Sequence, residues 1–369
     1  MSVRSKNPPV LLWRYVALRY LFNLIFVALI LLGLILFFDM IELLRRAAKF
    51  ENVSFWMVLQ MGVLKLPDVG QVLAPFIILF SALFTFWQLN RKQEVTIFRV
   101  AGFSIWQFAG PVLAVAFAIG IFFTTVINPV GAVLIQKYML MESLYLSRDE
   151  PQITLLENGL WLRQSTPGGY IVMHAREIDM SDWNVGEVMA LAFSQDDVFK
   201  WRLDAPEGAL KKGNWTFPLA TITPSQGVVQ TNKTASLPTK LTARKIEDSF
   251  ADPRTMPFWR LPSHIRTLEA TGFDPASLRI HYQGLLADPF LFAALVLVAA
   301  CVTLRPPRAQ NTFSLITLGV AVGFVVFFLS NFLQALGASH QISIGVAAWA
   351  PILITSLFGI GVILSLEDG

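Results

Sequence analysis

Six stretches of the chain carry no charged residue and are almost wholly apolar: residues 20–38, 69–87, 105–127, 289–304, 312–338 and 346–364. A helix that crosses hydrocarbon needs about 20 apolar residues, and five of the six meet that length or nearly do. The fourth is shorter, but residues 282–287 extend it across Asp288. In lipid the backbone must satisfy its own hydrogen bonds, which a helix does within one segment. Core helices of a large soluble protein would also be apolar, but six runs of this length in one chain favour six membrane spans.

Between the third and fourth runs the pattern changes. Short alternating or β-branched segments occur at 153–156, 160–163, 170–173, 188–193, 198–203, 215–220 and 228–229. Turn signals separate them, among them Asn158-Gly159, Pro167-Gly168-Gly169 and Lys212-Gly213-Asn214. Strands at this spacing predict an all-β sandwich, jellyroll or open barrel rather than βαβ units. Asp274-Pro275 then reads as an N-cap followed by proline at the first helical position, returning the chain to the fourth span.

Composition and charge sharpen this division. The 369 residues are 54% hydrophobic and only 15% charged, well below the roughly 25% of soluble domains. Residues 139–281 hold 15 basic and 17 acidic residues, and the rest of the chain holds 14 basic and 8 acidic ones. The excess positive charge therefore flanks the apolar runs, which argues for membrane topology and against nucleic acid as a partner. With the N-terminus inside, nine Lys and Arg fall in inner segments and four in short outer loops. The positive-inside rule then places both termini in the cytoplasm and the β insert outside it. Basic residues precede the first run with no small-residue cleavage site after it, the pattern of an uncleaved signal-anchor.

Catalytic chemistry is not signalled. There is no Walker A sequence, no HExxH and no nucleophile elbow, and the four histidines and one cysteine are scattered. No catalytic or metal site is expected. Gly359-Ile360-Gly361 reads as helix packing rather than a phosphate loop.

Two charged segments stand out. In the inner loop 90–102, Glu94, Val95, Phe98 and Arg99 are spaced for a short helix with an apolar edge, and Gly102 is placed to end it. Such a helix lies in the membrane interface, fits a groove in a cytosolic partner, or is a solvated loop that only fixes topology. Just outside the first span, Asp39, Glu42, Arg45, Arg46 and Lys49 step at helical spacing. Arg45 and Arg46 could hold lipid phosphates bidentately, with Lys137 beyond the third span as a further candidate. Pairing within the helix, such as Glu42 with Arg45 or Arg46, is the alternative, and a mixed cluster can exchange one arrangement for the other.

Over essentially its whole length the chain resembles the lipopolysaccharide-export permease family. Phe37-Phe38-Asp39-Met40-Ile41-Glu42-Leu43-Leu44-Arg45-Arg46 is similar to the outer end of the first span in G-type members. Glu94-Val95-Thr96-Ile97-Phe98-Arg99-Val100-Ala101-Gly102 resembles the family's coupling helix, and Asn158-Gly159-Leu160-Trp161-Leu162-Arg163 the opening of its periplasmic domain. The ending Leu366-Glu367-Asp368-Gly369 resembles alphaproteobacterial G-type members.

The resemblance implies an α-helical membrane protein with six transmembrane helices and a periplasmic all-β jellyroll between helices three and four. Residues 1–138 would hold the first three spans with coupling helix 90–102, residues 139–273 the jellyroll and return segment, and residues 274–369 the last three spans. It further implies a permease subunit of an ABC-type exporter in the bacterial inner membrane, not an enzyme, serving outer-membrane biogenesis. Its partners would be a paralogous permease, a homodimeric cytosolic ATPase that binds the ATP, a periplasmic bridge protein and lipopolysaccharide itself, with no cofactor in this chain. Glu94, Val95, Phe98, Arg99 and Gly102 would couple to the ATPase, and Arg45, Arg46 and Lys137 would hold the lipid headgroup. An F-type subunit of the same exporter, and a non-transport scaffold recruiting periplasmic partners, are the alternatives.

Overall fold

The computed structural model describes residues 10–50, 53–146, 152–156, 159–166, 168–179, 183–211, 213–239, 253–270, 275–304 and 312–368. Six helical spans are long and apolar enough to cross a membrane. In chain order the helices are α1 (Val10–Ala47), α2 (Phe55–Arg91), the short α3 (Glu94–Val100) and α4 (Ile105–Phe122). A π-helical turn (Phe123–Ile127) joins α4 to α5 (Asn128–Tyr145), so the two form one span. After the strands come α6 (Leu261–Ala270), α7 (Ala276–Thr303), α8 (Thr312–Ala338) and α9 (Ile344–Asp368). Five of the six spans run beyond their charge-free runs, and α8 coincides with its own. The first continues through Arg45 and Arg46, as the helical spacing of its outer charges predicts.

The centre of the bundle is α7, which packs against α2, α4, α8 and α9. In its most apolar window 72% of residues are buried, against 6% for α1. Close approach depends on missing side chains. A Cβ on Gly120 of α4 would lie 2.4 Å from Pro289 Cα, and one on Gly359 of α9 would lie 2.8 Å from Leu297 Cβ. Gly359 thus serves helix packing, as its sequence context suggests. Beside it the single cysteine, Cys301, is buried and its thiol donates to the Gly359 carbonyl at 3.2 Å.

Pro289 sits inside α7 and cannot donate to the carbonyl of Leu285, one turn earlier. The Thr124 hydroxyl in the π turn donates to that carbonyl at 2.8 Å. A proline is tolerated at membrane depth when a neighbouring helix satisfies the group it leaves bare. The fourth span begins at Ala276 with Pro275 in the cap position, one residue later than the sequence reading; Asp274 lies outside the described residues.

The insert folds as a seven-stranded antiparallel sheet with strands in sequential order: β1 (Gln152–Leu156), β2 (Gly159–Thr166), β3 (Gly169–Asp179), β4 (Asn184–Phe193), β5 (Phe199–Lys211), β6 (Asn214–Pro224) and β7 (Gln230–Pro238). A jellyroll needs crossover connections, and among the described residues there are none, so that expectation is corrected to an up-and-down meander. The register aligns Leu162, Met173, Ala190, Leu203 and Ile222 in one row across five strands. Residues of six strands, β2 to β7, join a single apolar cluster in which Trp215 and Phe217 are fully buried. The sheet is therefore curled on itself, and Gln164 of β2 donates to the Pro238 carbonyl at the end of β7 at 2.9 Å. Register shifts in the β4–β5 and β6–β7 ladders supply local bends. Among the described residues β1 and β7 each pair on one side only, leaving two edges.

Candidate functional site

At the end of the bundle opposite the sheet, α3 forms where the sequence places it. Its termination follows the Schellman pattern. Gly102 is left-handed at φ 84°; its N–H donates to the Arg99 carbonyl at 3.0 Å and that of Phe103 to the Phe98 carbonyl at 2.9 Å. The Phe98 and Phe103 rings meet edge to face at 6.4 Å, the apolar contact that accompanies this cap. A seven-residue helix is unstable alone, so it must lean on the bundle. Val95 is buried in the bundle core, and Phe98 packs against it within 6.2 Å of the Phe108 ring.

The apolar edge read from the sequence therefore faces inward. What points outward is a second pair, Ile97 at 62% and Val100 at 85% exposure, with Arg99 exposed beside them. Glu94 is also engaged within the chain. Its carboxylate accepts from the Tyr15 hydroxyl at 3.0 Å and from Arg19 Nη1 at 3.2 Å. Both donors belong to α1, so the acidic residue that opens α3 fastens that helix to the first span.

At the other end, the charged cluster on α1 is distributed among three partners. Arg45 grips Glu42 on its own helix at 2.8 and 2.9 Å, the intrahelical pairing anticipated from spacing. Arg46 reaches Glu142 of α5 at 2.6 Å, and Asp39 accepts from Lys65 of α2 at 2.6 Å. Lys65 also lies 5.7 Å from the Tyr138 ring centroid, at a junction where Leu43, Met61 and Ile135 are buried. Lys137 is exposed on α5 and joins no ion pair among the described residues. Of the three proposed headgroup cations, Arg46 is thus a structural tie, while Arg45 and Lys137 stay accessible.

One polar feature escaped the sequence reading. A cavity of about 280 Å³ opens between α2, α7 and α8, lined by Gln71, Asn128, His281, Asp288, Asn331 and Gln334 over an apolar floor that includes Phe76 and Val326. Asn128 anchors its wall, donating to Gln71 at 2.9 Å and accepting from the Phe258 backbone at 2.9 Å. An acidic residue followed by proline inside an otherwise apolar run was the signal, since ionisable groups at membrane depth generally face a cavity. Among the described residues no cluster of His, Cys, Asp or Glu could hold a metal.

A family model described as lipopolysaccharide export system permease LptF/LptG matches residues 14–365. No curated protein matches the chain.

Proposed function

The chain belongs to the lipopolysaccharide export system permease LptF/LptG family, and from that premise we propose that it is the G-type permease subunit of an ABC-type exporter. It sits in the inner membrane with both termini in the cytoplasm and the sheet in the periplasm. Beside a paralogous permease it draws lipopolysaccharide from the outer leaflet of that membrane. A separate homodimeric ATPase docks on α3 from the cytosol, binds and hydrolyses the ATP, and a periplasmic bridge protein takes the lipid from the sheet.

The observation that carries this reading is the form of α3: a capped, bundle-anchored helix that holds two apolar side chains, Ile97 and Val100, out to solvent. Exposed apolar pairs beside a charged Arg99 suit a groove in a partner protein. At the far end, the accessible cations Arg45 and Lys137 stand at the mouth of the lipid route. Bringing acyl chains into water would cost about 0.8 kcal/mol per methylene, so the route stays apolar into the curled sheet. Because Trp215 and Phe217 fill that sheet's inner face, acyl chains enter it by parting the β1 and β7 edges, and a free edge strand of the bridge protein extends the sheet there.

The test is purification of the chain from its native membrane with identification of what accompanies it. A nucleotide-binding subunit is the expected companion, and Val100→Asp should abolish its recovery while leaving the chain inserted. Recovery of periplasmic partners without any nucleotide-binding subunit would favour a membrane scaffold instead.

A further inference from the structure

A continuous line of hydrogen bonds leaves α3 and enters the helix pair α1–α2. Arg19 Nη1 donates to both Glu94 oxygens at 3.2 Å, while its Nε donates to Gln88 Oε1 at 3.1 Å. The same Gln88 oxygen accepts from Asn23 Nδ2 at 3.4 Å, and Asn23 donates to Thr85 Oγ1 at 2.8 Å. Thr85 closes the line on the Ser81 carbonyl at 2.7 Å. Asn23, Thr85 and Ser81 are fully or almost fully buried, and the Arg19 side chain is only 14% exposed. From Arg19 to Asn23 the line advances one helical turn, about 6 Å, into the bundle.

We propose that Arg19 is a positioning residue that makes α1 follow α3, an inference that rests on α3 being the ATPase docking element. Geometry and packing support it together. The planar guanidinium offers donors along two edges, so one side chain holds α3 through Glu94 and α2 through Gln88 at once. Lys92 and Gln93 alone join α2 to α3, with Gln93 in the left-handed region at φ 59°, so this connection is a bend rather than a rigid continuation. The most apolar stretch of α1 is only 6% buried, and its packing runs along one side, against α2 and α4, so its hold on α3 is this polar grip. Displacement of α3 by a docked protein is therefore carried to α1 through the Glu94–Arg19 grip. The buried Asn23–Thr85 bond lets α1 shift as a unit with α2 behind it.

The experiment uses the assembled exporter in proteoliposomes, reading lipopolysaccharide delivered to the bridge protein and ATP hydrolysed in the same sample. Arg19→Ala should leave the ATPase bound and hydrolysis within about twofold, while lipid delivered per ATP falls about tenfold. Arg19→Lys keeps the charge but loses the second edge, and should show the same uncoupling less severely. The exchange Arg19→Glu with Glu94→Arg should recover part of the loss. Normal delivery per ATP in Arg19→Ala overturns the proposal. Should that variant not assemble, Asn23→Leu leaves the Glu94–Arg19 grip in place and interrupts the buried half; unchanged delivery per ATP in it overturns the proposal equally. Absence of any bound ATPase in the unmodified complex would instead strike the reading of α3 itself.

Discussion

Helices α7 and α1 are both apolar spans, yet they relate to the rest of the molecule in opposite ways. α7 is enclosed by four neighbours and held mostly by close packing, glycine against proline and glycine against leucine, with a few hydrogen bonds to its carbonyls and side chains from the helices around it. α1 packs along one side against α2 and α4, leaves the rest of its surface to its surroundings, and carries polar grips at both ends, Glu94 with Tyr15 and Arg19 at one, Arg46 with Glu142 and Asp39 with Lys65 at the other. Packing contacts fall away within an ångström, whereas charged groups keep their attraction through small displacements. A helix enclosed on all sides keeps its place, and one packed along a single side with ionic ties at its ends has more freedom to change partners.

The sharpest way to break this contrast is to wedge α7. Gly120→Val puts a side chain where a Cβ alone would already lie 2.4 Å from Pro289 Cα. It should cost about 3 kcal/mol or prevent assembly, seen as a lowered melting midpoint in detergent; an unchanged midpoint would mean α4 and α7 do not meet there. Next comes a matched pair of truncations. Leu295→Ala in α7, 1% exposed, should cost about 2–5 kcal/mol. Leu29→Ala in α1, 69% exposed, should cost less than about 0.5 kcal/mol in the isolated subunit. Equal losses would erase the distinction between the two helices.

Smaller effects separate the two arginines of α1. Arg46→Glu opposes Glu142 and should lower stability by about 1 kcal/mol, loosening α1 from α5. Arg45→Glu disturbs only an exposed intrahelical pair, so the melting midpoint should hold while crosslinking to lipopolysaccharide declines. If crosslinking is unchanged, Arg45 has no headgroup role. The smallest effect concerns α6. Burial holds the His264 imidazole below its ordinary pKa, and among the described residues its Nε2 has no hydrogen-bond partner. Its neutral form is therefore favoured in the fold. The stability it contributes is complete above the unfolded value of about 6.5 and is lost as pH falls from there through the lower value of the folded state. Amide exchange in α6 should quicken modestly below that pH, and His264→Phe should remove the dependence.

The spans and most strands were legible in the sequence because each is a local pattern, a charge-free run or an alternation closed by turn residues. β7 was read two residues too early, at 228–229, since its outward positions Gln230, Asn232, Thr234 and Ser236 are polar and only Ala235 and Leu237 are buried. α6 was missed because its apolar positions Leu261, Ile265 and Leu268 alternate with polar ones and acquire meaning only against α7. Sequential strand order likewise could not be told from crossover order, since both have the same turns. For the candidate sites, Glu94 and the Gly102 stop were readable from spacing. Glu94's partner was not: Arg19 is 75 residues away, and nothing in either segment announces the other. The same holds for Arg46, whose carboxylate partner Glu142 lies on a different helix. Local chemistry marks which residues can act; only the fold decides which of them are already occupied.

The lone thiol of Cys301, shut between α7 and α9, gives this permease a practical asset. Maleimide and nitroxide reagents, which need an approachable sulfur, will pass over the native chain. Any cysteine installed on α1, on α3 or along the β1 and β7 edges then becomes the sole labelled position, with no prior cysteine replacement. Motion of the first span during a transport cycle can be followed by spectroscopy on a protein altered at the reporter site alone.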